Sequence, residues 1–226
     1  MIPPLIVQEA LERGIPLIAI TDHNSTANIA AVQKAAHGTG LTVLPGMEFQ
    51  TREEVHVLCL FDTLEQALAL QNYVDAHLPP LQNRPDYFGE QFVVDETGDF
   101  IRREDRLLLS SVDASFTQAF EKVAELGGLF IPAHVNRQGF GLLANLGLVP
   151  TDVSVEALEV SRHINPTDAR HKFPQILGYP LIQNGDVHEL ESFLGSTRYT
   201  LESETIAEIR LAIHQSNGRS FVVSTP

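Results

Sequence analysis

The sequence predicts an α/β fold, a barrel-like parallel sheet with helical crossovers, on three observations. Seven short apolar runs rich in Leu, Ile and Val recur along the 226 residues, helix-like stretches separate several of them, and the length suits one substantial core. Residues 1–226 are therefore expected to form a single domain.

The elements follow in chain order. A helix from Leu5 to Arg13 leads into the first run, Leu17 to Thr21, and the second and third runs are Leu41 to Glu48 and Val55 to Phe61. Only Thr51 to Glu53 separate Gln50 from Glu54, too few residues for a helical crossover, so these two strands should form an antiparallel hairpin. If Gln50 pairs with Glu54, then Glu48 pairs with His56 on the same face. A helix is expected from Leu64 to Leu78. Residues 79–114 open on Pro79-Pro80, are polar, and carry a hairpin in which Gln91 to Val94 and Phe100 to Arg102 flank Asp95-Glu96-Thr97-Gly98-Asp99. Such an excursion from a compact domain reads as an insertion or lid.

From Ser115 to Leu126, Phe116, Ala119, Phe120 and Val123 recur at helical spacing, and Gly127-Gly128 supplies the stop. Strands follow at Leu129 to Ala133, Ala157 to Val160 and Leu181 to Asn184. Ser203 to Ser216 reads as a helix with Ser203 at its N-cap and Asn217-Gly218 at its end, ahead of the last strand, Phe221 to Val223.

Composition narrows the function classes. Hydrophobic residues make up 43% of the chain, and no apolar run approaches the roughly 18 residues that span a bilayer. A single cysteine, Cys59, allows no intrachain disulfide, and no secretory leader is visible at Met1-Ile2-Pro3-Pro4; both point to the cytoplasm. A net charge of -14 opposes extended contact with nucleic acid or anionic lipid and suits the gathering of divalent cations.

The chemistry lies at the strand ends. Of nine histidines, four end an apolar run or stand just outside one: His23, His56, His134 and His188. A fifth strand end offers Glu48, and loops after strands build the active sites of α/β barrels. Asp186 and His188 stand two apart and project to one face of an extended segment. Mixed imidazole and carboxylate ligands suit Zn, Mn or Fe. Glu48 is the natural bridge between two such ions, and Asp22, beside His23, is expected to orient an imidazole from behind. The helical His77 and His214 and the core-patterned Cys59 are read as structural.

In order, Ile-Thr-Asp-His-Asn, Pro-Gly-Met-Glu, Val-His-Val-Leu, Pro-Ala-His-Val and Gly-Asp-Val-His resemble the PHP superfamily, named after polymerase and histidinol phosphatase domains. The resemblance runs from about Leu5 to His188. It implies a distorted seven-stranded β/α barrel with two or three divalent ions that hydrolyses phosphoesters. By motif, His23 and His188 would hold one ion, Glu48 with His56 and His134 a second, and Asp186 with Glu48 a third. Arg137 would grip substrate phosphate, with Asn24 as a second substrate contact, and Glu48 and Asp186 would be the catalytic residues. The family's first strand, which carries His-x-His, is missing ahead of Leu5, so the expectation is either a late-starting or truncated chain or, less favoured, a barrel with a reduced site that holds fewer ions.

The expected function is thus a phosphoesterase acting on a small phosphorylated substrate (a nucleotide, a sugar phosphate or histidinol phosphate) through metal-activated water. The alternative is a catalytically reduced PHP module that binds metal or a phosphorylated ligand as a sensor or as a partner of a larger enzyme. A C–N hydrolase would need a metal-bridging lysine, and Lys34, Lys122 and Lys172 all fall on helical or loop segments.

Overall fold

A computed structural model describes residues 1–224. In chain order the elements are α1 (Pro3–Glu12), β1 (Leu17–Ile20), α2 (Ile29–Ala36), β2 (Thr42–Gln50), β3 (His56–Leu60), α3 (Leu64–His77), α4 (Pro85–Phe88), β4 (Phe92–Val94) and β5 (Phe100–Arg103). They continue with α5 (Phe116–Glu125), β6 (Leu129–Pro132), α6 (Leu142–Leu146), β7 (Leu158–Glu159), α7 (Pro166–Lys172), β8 (Leu181–Ile182), β9 (Thr197–Thr200), α8 (Ile206–Ile213) and β10 (Ser220–Val223).

The sheet is α/β but is neither a closed barrel nor wholly parallel. Four strands run in the order β1-β2-β3-β6, and β7–β8, β9–β10 and β4–β5 form separate pairs. β1 and β2 are parallel, whereas β3 runs antiparallel to both β2 and β6. The β2–β3 hairpin is as expected, but its register is two residues off: Gln50 pairs with His56 and Glu48 with Leu58. The turn is longer than the sequence suggests. Glu54 adopts a left-handed φ of 59°, and Thr51 N–H donates to Val55 O, which closes a five-residue loop over residues 51–55. A slip of two preserves side-chain parity, so Glu48 and His56 keep a common face as diagonal neighbours.

Alternation builds two apolar layers. Val43, Met47 and Phe49 pack with the helices in one cluster, while Leu44 joins Leu58, Leu60, Leu129, Ile131 and Ile182 in the other, on the inner face of the strands. Glu48 follows Leu44 on that inner face, and His56 precedes Leu58 on it. The inner apolar cluster is therefore capped at the strand ends by polar groups.

Helix starts are chemically legible. Thr63 with Gln66 and Ser115 with Gln118 form capping boxes for α3 and α5. The last helix is capped by Thr205, whose side chain accepts from Glu208 N–H, not by Ser203. Thr205 stands directly before the apolar stripe of Ile206 and Ile209, so its hydroxyl is the one in reach of the orphan amides. No helix among the described residues is long and apolar enough to cross a membrane.

Residues 79–114 do leave the sheet and carry the expected hairpin, but they are fastened down. Asn28 donates to Phe92 O at 3.2 Å and accepts from Val94 N–H at 3.1 Å. Asn24 donates to Leu108 O at 2.8 Å and Ser110 O at 2.9 Å. Both asparagines belong to the loop that carries His23, so the insertion forms a wall beside the strand ends rather than a free lid.

Candidate metal centre

Glu48 is the hub. Its Oε1 lies 3.0 Å from His56 Nδ1 and 3.3 Å from His134 Nε2, and its Oε2 lies 3.1 Å from His23 Nδ1. The ligand atoms of His23, Glu48 and His56 come within 4.8 Å of one another, as do those of Glu48, His134 and Asp186. One carboxylate is thus shared between two ligand groups. The resemblance placed His56 with His134, and both rings do meet Glu48 Oε1; mutual reach of the ligand atoms also groups His56 with His23, and His134 with Asp186.

His188 stands at the rim, its ring 5.8 Å from that of His23 and its Nδ1 3.1 Å from Asp186 O. Arg137 is paired with Asp186, Nη1 to Oδ2 at 2.6 Å, so the cation expected for substrate phosphate rests on a neighbouring carboxylate. Two expectations are corrected. Asn24 is fully buried, and besides its two donated bonds its Oδ1 accepts from Gln50 N–H at 3.0 Å, so its amide is turned into the protein and away from a substrate. The Asp22 carboxylate accepts from Asn28 Nδ2 at 3.2 Å, so its hydrogen bond braces the insertion, and an imidazole, that of His188, acts on it through charge alone.

Several functional neighbours were missed in the sequence. His56 Nε2 lies 3.3 Å from Gln50 Oε1. The Gln50 side chain thus braces the far edge of the His56 ring, whose Nδ1 faces Glu48. Gln50 is two residues beyond Glu48 on the same strand face, and that spacing could have revealed it. Phe140 stacks on the His56 ring at 4.5 Å and nearly parallel, shielding it from water. Glu159, 3% exposed, accepts from His134 N–H at 3.2 Å and from Asn184 Nδ2 at 2.6 Å. It lies inside the run from Ala157 to Val160 rather than at its end, so the strand-end signal did not reach it.

Charge at the site is polarised. Burial by itself would raise the Glu48 carboxyl, but the imidazoles of His134 and His56 outweigh it and hold the group well below the usual carboxylate range. Burial lowers His23, with Glu48 only partly opposing it. Burial would also lower His134, yet its contact with Glu48 prevails and raises it. Burial pushes Glu159 up to about 7 against the hydrogen bond from Asn184.

These shifts predict an unusual pH dependence of the metal-free protein. Glu159 and His134 bind protons more tightly folded than unfolded, so their contribution is present at mildly acidic pH and is lost as pH rises from about 5 through about 7. His23, lowered on folding, acts in the opposite sense below about pH 6.5, so in chelator the net fall should appear between about pH 6.5 and 8, a few degrees in melting temperature or on the order of 1 kcal/mol for a domain of this size. Thermal denaturation checks this, and Glu159→Gln should flatten the slope.

The residues fit divalent cations. His23 Nδ1, His56 Nδ1 and His134 Nδ1 are buried with no hydrogen-bond partner; the first two are near Glu48 in distance but not aligned with it as donors. Each such atom costs about 1–3 kcal/mol, and the two that face Glu48, His23 Nδ1 and His56 Nδ1, stand where an ion could repay it. Left-handed φ values at Asn24 (48°), His134 (32°), Phe140 (58°) and Asp186 (47°) gather at the same strand ends, where strain of this kind marks function.

With this geometry in view, a family model described as PHP domain matches residues 3–125, and the chain belongs to that family. The Bacillus subtilis protein YqxK, described as uncharacterized, is 24% identical over 97% of this chain. The lesion-specific endonuclease PfuEndoQ from Pyrococcus furiosus superposes over 98% of the chain with a TM-score of 0.71 at 19% identity. A two-domain Bacteroides vulgatus protein containing a predicted PHP-like metal-dependent phosphoesterase superposes over 98%, covering 60% of that chain, with a TM-score of 0.53 at 13% identity. The chain spans 57% of the Bacillus protein and 53% of the Pyrococcus one.

Proposed function

We propose that this PHP domain is a metal-dependent phosphoesterase acting on a small phosphorylated substrate, a nucleotide, a sugar phosphate or histidinol phosphate. The observation that carries the proposal is Glu48, one anionic carboxylate shared by two groups of imidazole and carboxylate ligands. Divalent ions such as Zn, Mn or Fe held there would lower the pKa of a water and act as Lewis acids on the phosphoryl group. His23, Glu48 and His56 would hold one ion, and Glu48, His134 and Asp186 another, with His188 supporting the His23 side. Gln50 braces the His56 ring from its Nε2 edge, and Phe140 stacks on the face of that ring.

Arg137 is half-exposed and paired through one terminal nitrogen, so its guanidinium can turn from Asp186 to two phosphate oxygens, freeing Asp186 to ligate. A cavity of about 1260 Å³ joins the ligands to the inner apolar face and lies between β1, which ends its sheet, and β9. We read that open side as the place of a seventh barrel strand.

Metal-stripped protein should regain turnover of a generic aryl phosphate with Mn or Zn. Absence of turnover with two ions bound would favour the reduced, ligand-binding module. The likeness to PfuEndoQ favours a second reading, cleavage of a DNA phosphodiester. Turnover of a lesion-containing duplex but of no small phosphate would support that reading, although a net charge of -14 opposes an extended footprint on DNA.

A further inference from the structure

The strand alternation that delivers Glu48 and His56 does not deliver His134. Leu129 and Ile131 face the inner cluster, so continued alternation would send Ala133 inward and His134 outward. His134 instead has a left-handed φ of 32°, which turns its ring inward until Nε2 lies 3.3 Å from Glu48 Oε1. A non-glycine residue holds such a conformation only where its surroundings over-determine it.

We propose that Glu159 is the residue that sets this turn, a positioning residue for the His134 ligand. The inference rests on the metal-centre reading above. Glu159 takes both successive amides of the turn: His134 N–H donates to its carboxylate Oε1 at 3.2 Å, and Val135 N–H to its carbonyl at 2.9 Å. Its other carboxylate oxygen accepts from Asn184 Nδ2 at 2.6 Å, which fixes the side chain from the next strand end. Farther along the loop, Asn136 and Ser161 exchange two hydrogen bonds of 2.9 and 2.8 Å. The loop therefore remains docked without the Glu159 side chain, and what that side chain governs is the direction of the His134 ring.

Glu159 also faces the same cavity as Glu48, so a direct role for its charge is the rival account. Substitution separates the two. In Glu159→Gln the amide oxygen still accepts from His134 N–H, and Asn184 need only turn its own amide over to meet the new NH2. In Glu159→Ala the acceptor is gone.

The test is divalent-metal binding, with Mn titrated into the stripped protein and ion content counted after dialysis. His134→Ala identifies which binding step belongs to the group of Glu48, His134 and Asp186. Glu159→Ala should weaken that step by about 10- to 100-fold, the usual cost of losing a partner that orients a ligand. The step of His23, Glu48 and His56 should stay within about threefold, and Glu159→Gln should keep both steps within about threefold of the unsubstituted protein. If the alanine protein does not fold, Glu159→Asp, whose carboxylate is withdrawn by one methylene, should show the same selective weakening. The inference is overturned if Glu159→Ala, or Glu159→Asp in its place, binds like the unsubstituted protein or loses both steps equally. It is overturned too if Glu159→Gln loses as much as alanine, because charge and not position then matters. An unsubstituted protein that binds no divalent ion sinks the metal-centre reading itself, which is a separate outcome.

Discussion

Glu48→Ala is expected to abolish metal-dependent hydrolysis and to strip the protein of tightly held divalent ions while leaving it folded. Loss of an outer partner of a ligand costs roughly 10- to 100-fold in affinity or activity. Glu48 stands in both ligand groups, and three imidazoles converge on its two oxygens, so its loss damages both sites at once. A fall in turnover of more than about 10³-fold follows. Glu48→Gln should be nearly as severe, since the amide keeps the shape but not the charge that the imidazoles hold in place. Circular dichroism verifies the fold, and turnover in saturating Mn measures the loss. Metal-dependent turnover that survived in either variant would remove Glu48 from the mechanism.

The second large effect is on stability. Asn24→Ala should destabilise the domain by about 3 kcal/mol, which corresponds to roughly 6–12 °C in melting temperature. The buried amide makes three hydrogen bonds, and its removal leaves Gln50 N–H, Leu108 O and Ser110 O without their partner. Alanine also tolerates the left-handed backbone at this position less well than asparagine, by about 1 kcal/mol. The insertion should loosen first, and hydrogen exchange at residues 107–112 should report it ahead of the sheet. A melting temperature within a degree or two of the unsubstituted protein would show that the clamp is dispensable.

The residues most legible in the sequence were those where local chemistry and final structure agree. Strand-end histidines and carboxylates could be picked out because they stand at the limits of apolar runs, and the β2–β3 hairpin followed from a connection too short for a helix. Its register could not be read the same way, because the left-handed Glu54 adds two residues to the loop without any glycine to announce it. Asn24 was assigned to substrate through the family motif, whereas the insertion, distant in sequence, claims its amide. Glu159 and Gln50 were overlooked for a related reason: their partners, His134 and His56, lie on other strands, and only tertiary packing brings them together. Closure of the barrel was likewise not inherent in counting strands, since β7 and β8 are two-residue strands and β1 ends its sheet.

The central claim is that one carboxylate organises two metal sites, and anomalous diffraction at the manganese edge from crystals grown with Mn tests it most directly. Two peaks should appear, one among His23, Glu48 and His56 and the other among Glu48, His134 and Asp186, both within coordinating distance of the Glu48 carboxylate. No peak at Glu48, with the ions found elsewhere on the acidic surface, would contradict the account.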